Sequence, residues 1–249
     1  MMNMERVAVV TGGMGGLGEA IALRLDKEGF RVVVTYSPHN EHVAAWLETQ
    51  WGEKRNIAAF PVDVDDYDAC QRCVARVQSE IGNIEVLVNN AGIVRDGAFA
   101  AMTAADWRAV LTTDLDSMFN MTRQVCNGMV ERGWGRIVNI SSVVGSCGAI
   151  GQANYAAAKA GVHGLTKSLA LEFAGRGITV NTISPGFLDT QMMRAIPENV
   201  LAQRILPQIP VGRLGRPSEV AGLIAYLCSD DGAYVTGANL AINGGYHMS

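Results

Sequence analysis

Apolar runs and helical patterns alternate along the whole chain. The first run, Arg6–Val10, is short, continuous and rich in valine, as in a strand buried on both faces. Gly16–Glu28 follows, with Ile21, Ala22 and Leu25 spaced to form the inward stripe of a helix. Arg31–Tyr36 is a second β-branched run, and the same signal returns at Ile57–Val62, Glu85–Asn89, Gly135–Ser141, Thr179–Ser184 and Asn239–Ile242. Helical patterns at 66–81, 103–131, 153–174 and 217–228 separate these runs. Continuous apolar strands joined through helices predict a parallel sheet covered on both faces. Right-handed crossovers then make it doubly wound. The expected fold class is α/β, a single sheet built from these seven runs with helices on both sides. Nothing marks a linker, a repeat or a low-complexity tract, so residues 1–249 are expected to form one domain. A proline-punctuated stretch around 187–216 has no clear period, and a long loop of this kind is expected to serve as a lid.

Composition narrows the function classes. The 249 residues are 49% hydrophobic and 18% charged, which is ample for a large core. The net charge of -4, without a Lys/Arg-rich run, argues against nucleic acid as a partner. No run approaches the ~20 apolar residues that span a bilayer. The start, MMNMERVAVV, lacks the basic-then-apolar pattern of a leader, so a cytoplasmic location is expected. The five cysteines, an odd number, fit a reducing compartment. Cys70 and Cys73 form a C-x-x-C with no second pair or nearby histidine, which reads as a coincidence on a helix surface rather than a zinc site. His39, His42, His163 and His247 have no metal-ligand spacing, and no metal is expected.

Between the first strand and the first helix stands Thr11-Gly12-Gly13-Met14-Gly15-Gly16-Leu17-Gly18. Glycines here permit a tight turn and a close backbone approach to a pyrophosphate, whose charge the helix N-terminus attracts. Gly13, Gly15 and Gly18 satisfy G-x-G-x-x-G, while Gly12, Gly16 and Gly18 satisfy T-G-x-x-x-G-x-G. Either spacing, between a strand and a helix, predicts a dinucleotide site and hence a Rossmann-type domain. The second strand ends in Thr35, Tyr36 and Ser37, without the carboxylate that would accept bonds from the ribose of NAD. NADP is therefore expected over NAD. Ser37, His39, Asn40 and His42 are the available partners for its 2′-phosphate.

Tyr155 and Lys159 are four residues apart in a helical pattern, so they share a face, and Ser142 ends a strand. An ammonium beside a phenol favours the phenolate. Such a tyrosine exchanges a proton with a substrate oxygen, and a serine hydroxyl holds that oxygen.

The glycine loop, Asn89-Asn90-Ala91-Gly92, Ser142, Tyr155-x-x-x-Lys159 and Pro185-Gly186 occur in order over essentially the whole chain. The set resembles the short-chain dehydrogenase/reductase family. The resemblance implies a reductase in which Lys159 also binds the nicotinamide ribose and Tyr155 lies beside the cofactor. It implies that Asn89, Ala91 and Gly92 lie along the cofactor, unless Asn89 and Asn90 brace the sheet instead. It further places Asp63 and Val64 at the adenine, and Pro185, Gly186, Leu188 and Thr190 at the nicotinamide end. Where the family usually has an asparagine, this chain has Asp114. A carboxylate there would keep Lys159 charged but weaken its pull on the Tyr155 proton, so Asp114→Asn is expected to raise the rate or shift its pH profile.

Within the family, Val9–Gly18, Gly133–Val143, Asn154–Gly164 and Asn243–Met248 most resemble acetoacetyl-CoA reductases of polyhydroxyalkanoate synthesis, with 3-oxoacyl-ACP reductases as near relatives. The implied substrate is a 3-oxoacyl thioester, reduced to the (R)-3-hydroxy form and met by Asp96, Ser142, Ile150, Gln152 and Phe187. The chain departs from that pattern where Ala101 replaces a lysine, Ile150 an aromatic and Phe187 a tyrosine. Weaker CoA affinity or a shifted acyl preference follows from those changes. The family resemblance also implies a homotetramer formed through the two long helices. A reductase of another ketone or sugar is the nearest rival. A nucleotide-sensing regulator is a remoter one, since such a protein can dispense with Tyr155 and Lys159 and this chain keeps both.

Overall fold

The computed structural model describes residues 5–194 and 196–248. Positions 1–4 of the N-terminal segment, position 195 of the expected lid and position 249 lie outside the described residues. Seven parallel strands form one sheet: β1 (Val7–Val10), β2 (Arg31–Tyr36), β3 (Ile57–Pro61), β4 (Ile84–Asn89), β5 (Gly135–Ile140), β6 (Ile178–Pro185) and β7 (Asn239–Ile242). Their order is β3-β2-β1-β4-β5-β6-β7. Every neighbouring pair is parallel. The chain reverses its direction of winding between β1 and β4. Loops leaving the carboxyl ends of those two strands part there and open a crevice.

Helices cover both faces. Helices α1 (Gly16–Lys27) and α10 (Pro217–Cys228), with Trp46 of α2 (Val43–Gly52), pack on one core built around Ala8, Val10, Val34, Ile183 and Ile224. On the opposite face α3 (Tyr67–Glu80), α5 (Ser117–Arg132) and α7 (Ala153–Phe173) enclose Val9, Val33, Leu87, Met121 and Ile137. Alternate residues of one strand thus serve two cores, which explains why the strands read as unbroken apolar runs.

Three expectations are corrected. The pattern at 103–131 is one helix in sequence but α4 (Ala104–Leu111), a π-helical turn (Thr112–Asp116) and α5 in space. Ser117 N–H bonds to Thr112 O, five residues back, which inserts an extra residue into the turn. The Cys70/Cys73 pair does not lie on a helix surface. Both thiols are buried against the core, and burial pushes them up to about 12 and about 11. The stretch after β6 is not wholly irregular. It holds the short helices α8 (Gln191–Arg194) and α9 (Glu198–Val200), a π turn (Leu201–Ile205) and a 3₁₀ turn (Leu206–Gln208). A one-residue parallel bridge between Leu188 and Gly215 ties its two ends together. The short helix α6 (Val144–Cys147) follows β5. Among the described residues no helix is long and apolar enough to cross a membrane.

Candidate active site

The glycine loop sits at the carboxyl end of β1. Gly12 and Gly16 have φ of 62° and 53°, in the left-handed region that a side chain disfavours. A Cβ on Gly18 would stand 2.2 Å from Gly12 O. Gly15 is extended and open to solvent, with room for any side chain. The backbone therefore requires the T-G-x-x-x-G-x-G set. Gly13 serves packing, since its Cβ would meet Val34 at 2.5 Å. Thr11 and Asn90 brace the loop: Asn90 N–H and Ala91 N–H donate to Thr11 Oγ1 at 2.9 and 3.0 Å. Asn90 Nδ2 donates to Thr11 O and Gly12 O. The N-terminus of α1 has no side-chain cap, which leaves its first N–H groups facing the cleft.

That cleft holds about 580 Å³. Gly12, Gly15, Gly16, Leu17 and Gly18 line one end, with Ala91 and Gly92 beside them. Ser142, Tyr155 and Lys159 form a wall, and Pro185, Gly186, Phe187, Leu188 and Thr190 close the other side. An adjoining pocket of about 390 Å³ is lined by Thr35, Tyr36, Ser37, Asp63 and Val64.

Lys159 is almost wholly buried. Its Nζ donates to Ile140 O at 3.0 Å and lies 3.0 Å from Asp114 Oδ2, an ion-pair approach without hydrogen-bond alignment. It also lies 5.5 Å from the centre of the Tyr155 ring. Asp114 stands in the π-helical turn and is fully buried, and its Oδ1 accepts Ile93 N–H at 2.8 Å. Gly92 makes the pairing possible, because a Cβ there would meet Asp114 Oδ2 at 2.7 Å. Glycines also bring α7 close to its neighbours. A Cβ on Gly145 would strike the Lys159 backbone at 2.8 Å, and one on Gly161 would strike Leu115 at 2.9 Å. Ser142 Oγ is half-buried and accepts Val144 N–H at 3.2 Å, which leaves its own hydrogen free to donate.

Burial pushes the Asp114 carboxyl above the usual carboxylate range, while the Lys159 ammonium and then the Ile93 N–H pull it down. A native value raised above the unfolded one means that the native chain binds the extra proton. Stability from this group is then present below about pH 4, the unfolded value, and is lost as pH rises through the raised native value. Denaturant titrations across mildly acid pH are expected to show a steeper loss of stability with rising pH in the wild type than in Asp114→Asn. Equal slopes would exclude Asp114 as the source.

Other predicted residues divide. Asn89 does not line the cleft: its Nδ2 donates to Thr122 Oγ1 and Asn139 Oδ1 beneath the sheet ends. Gln152 Nε2 bonds both oxygens of Asp96, at 3.0 and 2.9 Å, and so pins the loop after β4 to the start of α7. Ile150 is fully exposed beside them. Phe187 packs edge-on against Tyr246 at 5.2 Å. Sequence reasoning missed Ile93, Val94 and Met193 in the cleft lining, which carry no polar signal. It also missed Asn154, whose Nδ2 donates to Arg95 O while its Oδ1 accepts Tyr155 N–H. Its position next to Tyr155 was the only cue.

A family profile described as Enoyl-(Acyl carrier protein) reductase matches residues 12–247. An acetoacetyl-CoA reductase of Cupriavidus necator is 51% identical over 244 residues, 98% of this chain and 99% of the relative. An acetoacetyl-CoA reductase of Shinella zoogloeoides is 50% identical, covering 97% of this chain and 98% of the relative. The 3-oxoacyl-[acyl-carrier-protein] reductase FabG of Pseudomonas aeruginosa is 44% identical over the whole of both chains. With a glycine cradle at the β1 end and a serine, tyrosine and lysine on the facing wall, the chain belongs to the short-chain dehydrogenase/reductase family of oxidoreductases.

Proposed function

We propose that the protein reduces a 3-oxoacyl thioester, acetoacetyl-CoA foremost, to the (R)-3-hydroxyacyl thioester with NADPH. What carries this reading is the convergence of Ser142, Tyr155 and Lys159 on one cleft in a chain 51% and 50% identical, end to end, to two acetoacetyl-CoA reductases. The residues present fit the cofactor. The uncapped start of α1 and the glycine cradle suit a pyrophosphate, and Asp63 and Val64 line the pocket suited to the adenine. Ser37 lines the same pocket where a ribose carboxylate partner would otherwise stand, which favours NADPH over NADH. Pro185, Gly186, Leu188 and Thr190 face the opposite end. When bound, NADPH supplies the hydride for the carbonyl carbon.

The chain's own residues manage the proton and the oxygen. Ser142 donates its free hydroxyl hydrogen to the carbonyl oxygen and stabilises the charge that develops there. Tyr155 gives its phenolic proton to that oxygen as general acid. Of the three N–H bonds of Lys159, one is spent on Ile140 O and one is directed toward Asp114. The third remains for the ribose, and the whole charge favours the phenolate that Tyr155 leaves behind. The same reading includes a cytoplasmic location and a homotetramer, whose interface would bury the exposed Phe119 of α5 and Leu171 of α7.

Gly18→Ala is expected to weaken NADPH binding at least about tenfold, because Gly12 O must move and deform the cradle. Fluorescence titration of NADPH measures it, and an unchanged Kd would show that the loop tolerates a methyl group. The substrate is tested by kcat/KM for acetoacetyl-CoA, the matched acyl-carrier-protein thioester and unrelated ketones, with both cofactors. The CoA thioester with NADPH is expected to lead. The similarity to a 3-oxoacyl-[acyl-carrier-protein] reductase over the full chain supports the carrier-protein thioester as the second reading, and a higher kcat/KM for it would replace the first.

A further inference from the structure

A row of polar side chains runs under the catalytic end of the sheet, on the face covered by α7. On β5 Asn139 and, just past its end, Ser141 point to one side; on β6 Thr182 and Ser184 do the same, in a register that pairs Asn139 with Thr182. Helix α7 answers with Lys159, His163 and Thr166, which one helical face carries at these spacings. The lower half of this seam is a closed set of bonds: Asn139 Nδ2 donates to Thr166 Oγ1 at 2.9 Å, and Thr182 Oγ1 donates to the same oxygen at 2.7 Å. The upper half centres on His163. Its Nε2 lies 3.0 Å from Ser141 Oγ and 3.4 Å from Ser184 Oγ.

The hydrogens can be assigned by elimination. Ser141 spends its hydroxyl hydrogen on Lys159 O at 2.8 Å, and Ser184 spends its own on Asn239 Oδ1 at 2.6 Å. Neither serine has a hydrogen left for the ring, so Nε2 must carry the proton and donate, chiefly to Ser141. Burial, then the charge of Lys167, lowers the pKa of His163 and keeps the ring neutral.

Both serines precede residues of the cleft. Ser141 adjoins Ser142, and Ser184 adjoins Pro185-Gly186. The main chain is laced at the same level, with Ser141 N–H bonded to Ile183 O and Val143 N–H to Pro185 O. Ser141 also holds the backbone of Lys159 itself. We propose that His163 is a positioning residue: through Nε2–H it joins the ends of β5 and β6 to α7, and so sets Ser142, Lys159 and Pro185-Gly186 relative to one another. The inference rests on the catalytic roles proposed for Ser142 and Lys159.

The test pairs His163→Leu, which removes the donor, with His163→Gln, whose amide nitrogen can reach the place of Nε2. In ¹⁵N-labelled wild-type protein the His163 ring is expected to be neutral and protonated at Nε2. In turnover of acetoacetyl-CoA, His163→Leu is expected to lose about tenfold in kcat with little change in KM, a split that follows from misplaced reacting groups rather than lost binding. His163→Gln is expected to recover most of that loss at the same thermal stability as His163→Leu. A ring protonated at Nδ1 instead, a Leu variant with wild-type kcat, or a Gln variant no better than Leu would each overturn the proposal. If acetoacetyl-CoA is not turned over at all, the substrate reading fails, and the tautomer still decides the role of His163.

Discussion

Replacing Tyr155 with Phe is expected to lower kcat by about three orders of magnitude while NADPH affinity stays within about twofold. The ring would remain in place beside Lys159, whose Nζ lies 5.5 Å from its centre, so packing and the lysine's partners are preserved. Only the phenolic proton would be lost. Ser142 could still hold the substrate oxygen, but no acid would stand ready to protonate it. Pre-steady-state mixing of the variant with NADPH and substrate, compared with equilibrium binding of NADPH, separates the two effects. A variant that kept a tenth or more of wild-type kcat would remove Tyr155 from the proton-transfer step.

Replacing Lys159 with Met should cost both activity and stability, and the stability cost should depend on pH. Asp114 is fully buried, and its Oδ2 has Lys159 as its charged neighbour. Taking one partner from such a pair leaves an uncompensated charge, worth about 3–5 kcal/mol when the other stays ionised. Burial already lifts the Asp114 carboxyl, and without the lysine it rises further. The unpaired group therefore protonates at low pH and escapes most of the cost there. The sign follows: the variant should lie close to the wild type in mildly acid solution and lose ground as pH rises through the raised carboxyl value. Adding Asp114→Asn to Lys159→Met should restore stability at pH 8 without restoring turnover. A single variant destabilised equally at all pH values would mean that packing, not the stranded carboxylate, sets the cost.

Much of the fold is legible in the sequence because the sheet is buried on both sides. The apolar runs bound Arg31–Tyr36 and Asn239–Ile242 correctly, and the other strands to within a residue at each end. Helix α2 escapes for the opposite reason: only Gln50 of its ten residues is buried, so no apolar stripe betrays it. The π-helical turn is invisible as well. Thr112–Asp116 contains no glycine or proline, and the extra residue is imposed by the packing of Asp114 and Leu115 rather than by local preference. The two glycine spacings cannot be separated without backbone angles. Tyr155, Lys159 and Ser142 are readable because spacing alone puts a pair on one helix face. His163 continues that face by four residues, yet a single histidine inside an alanine-rich helix carries no chemical signature until its serine partners come from other strands.

The π-helical turn has a consequence for how this stretch can vary. Shortening it by one residue would return α4 and α5 to a single regular cylinder and advance everything downstream by about 100°, the angle one residue subtends. Val110 and Met121, now both turned inward, could no longer share a side. Point substitutions along 104–132 can therefore be absorbed one by one, whereas a single deletion there would put the two halves out of phase and swing the carboxylate away from its lysine.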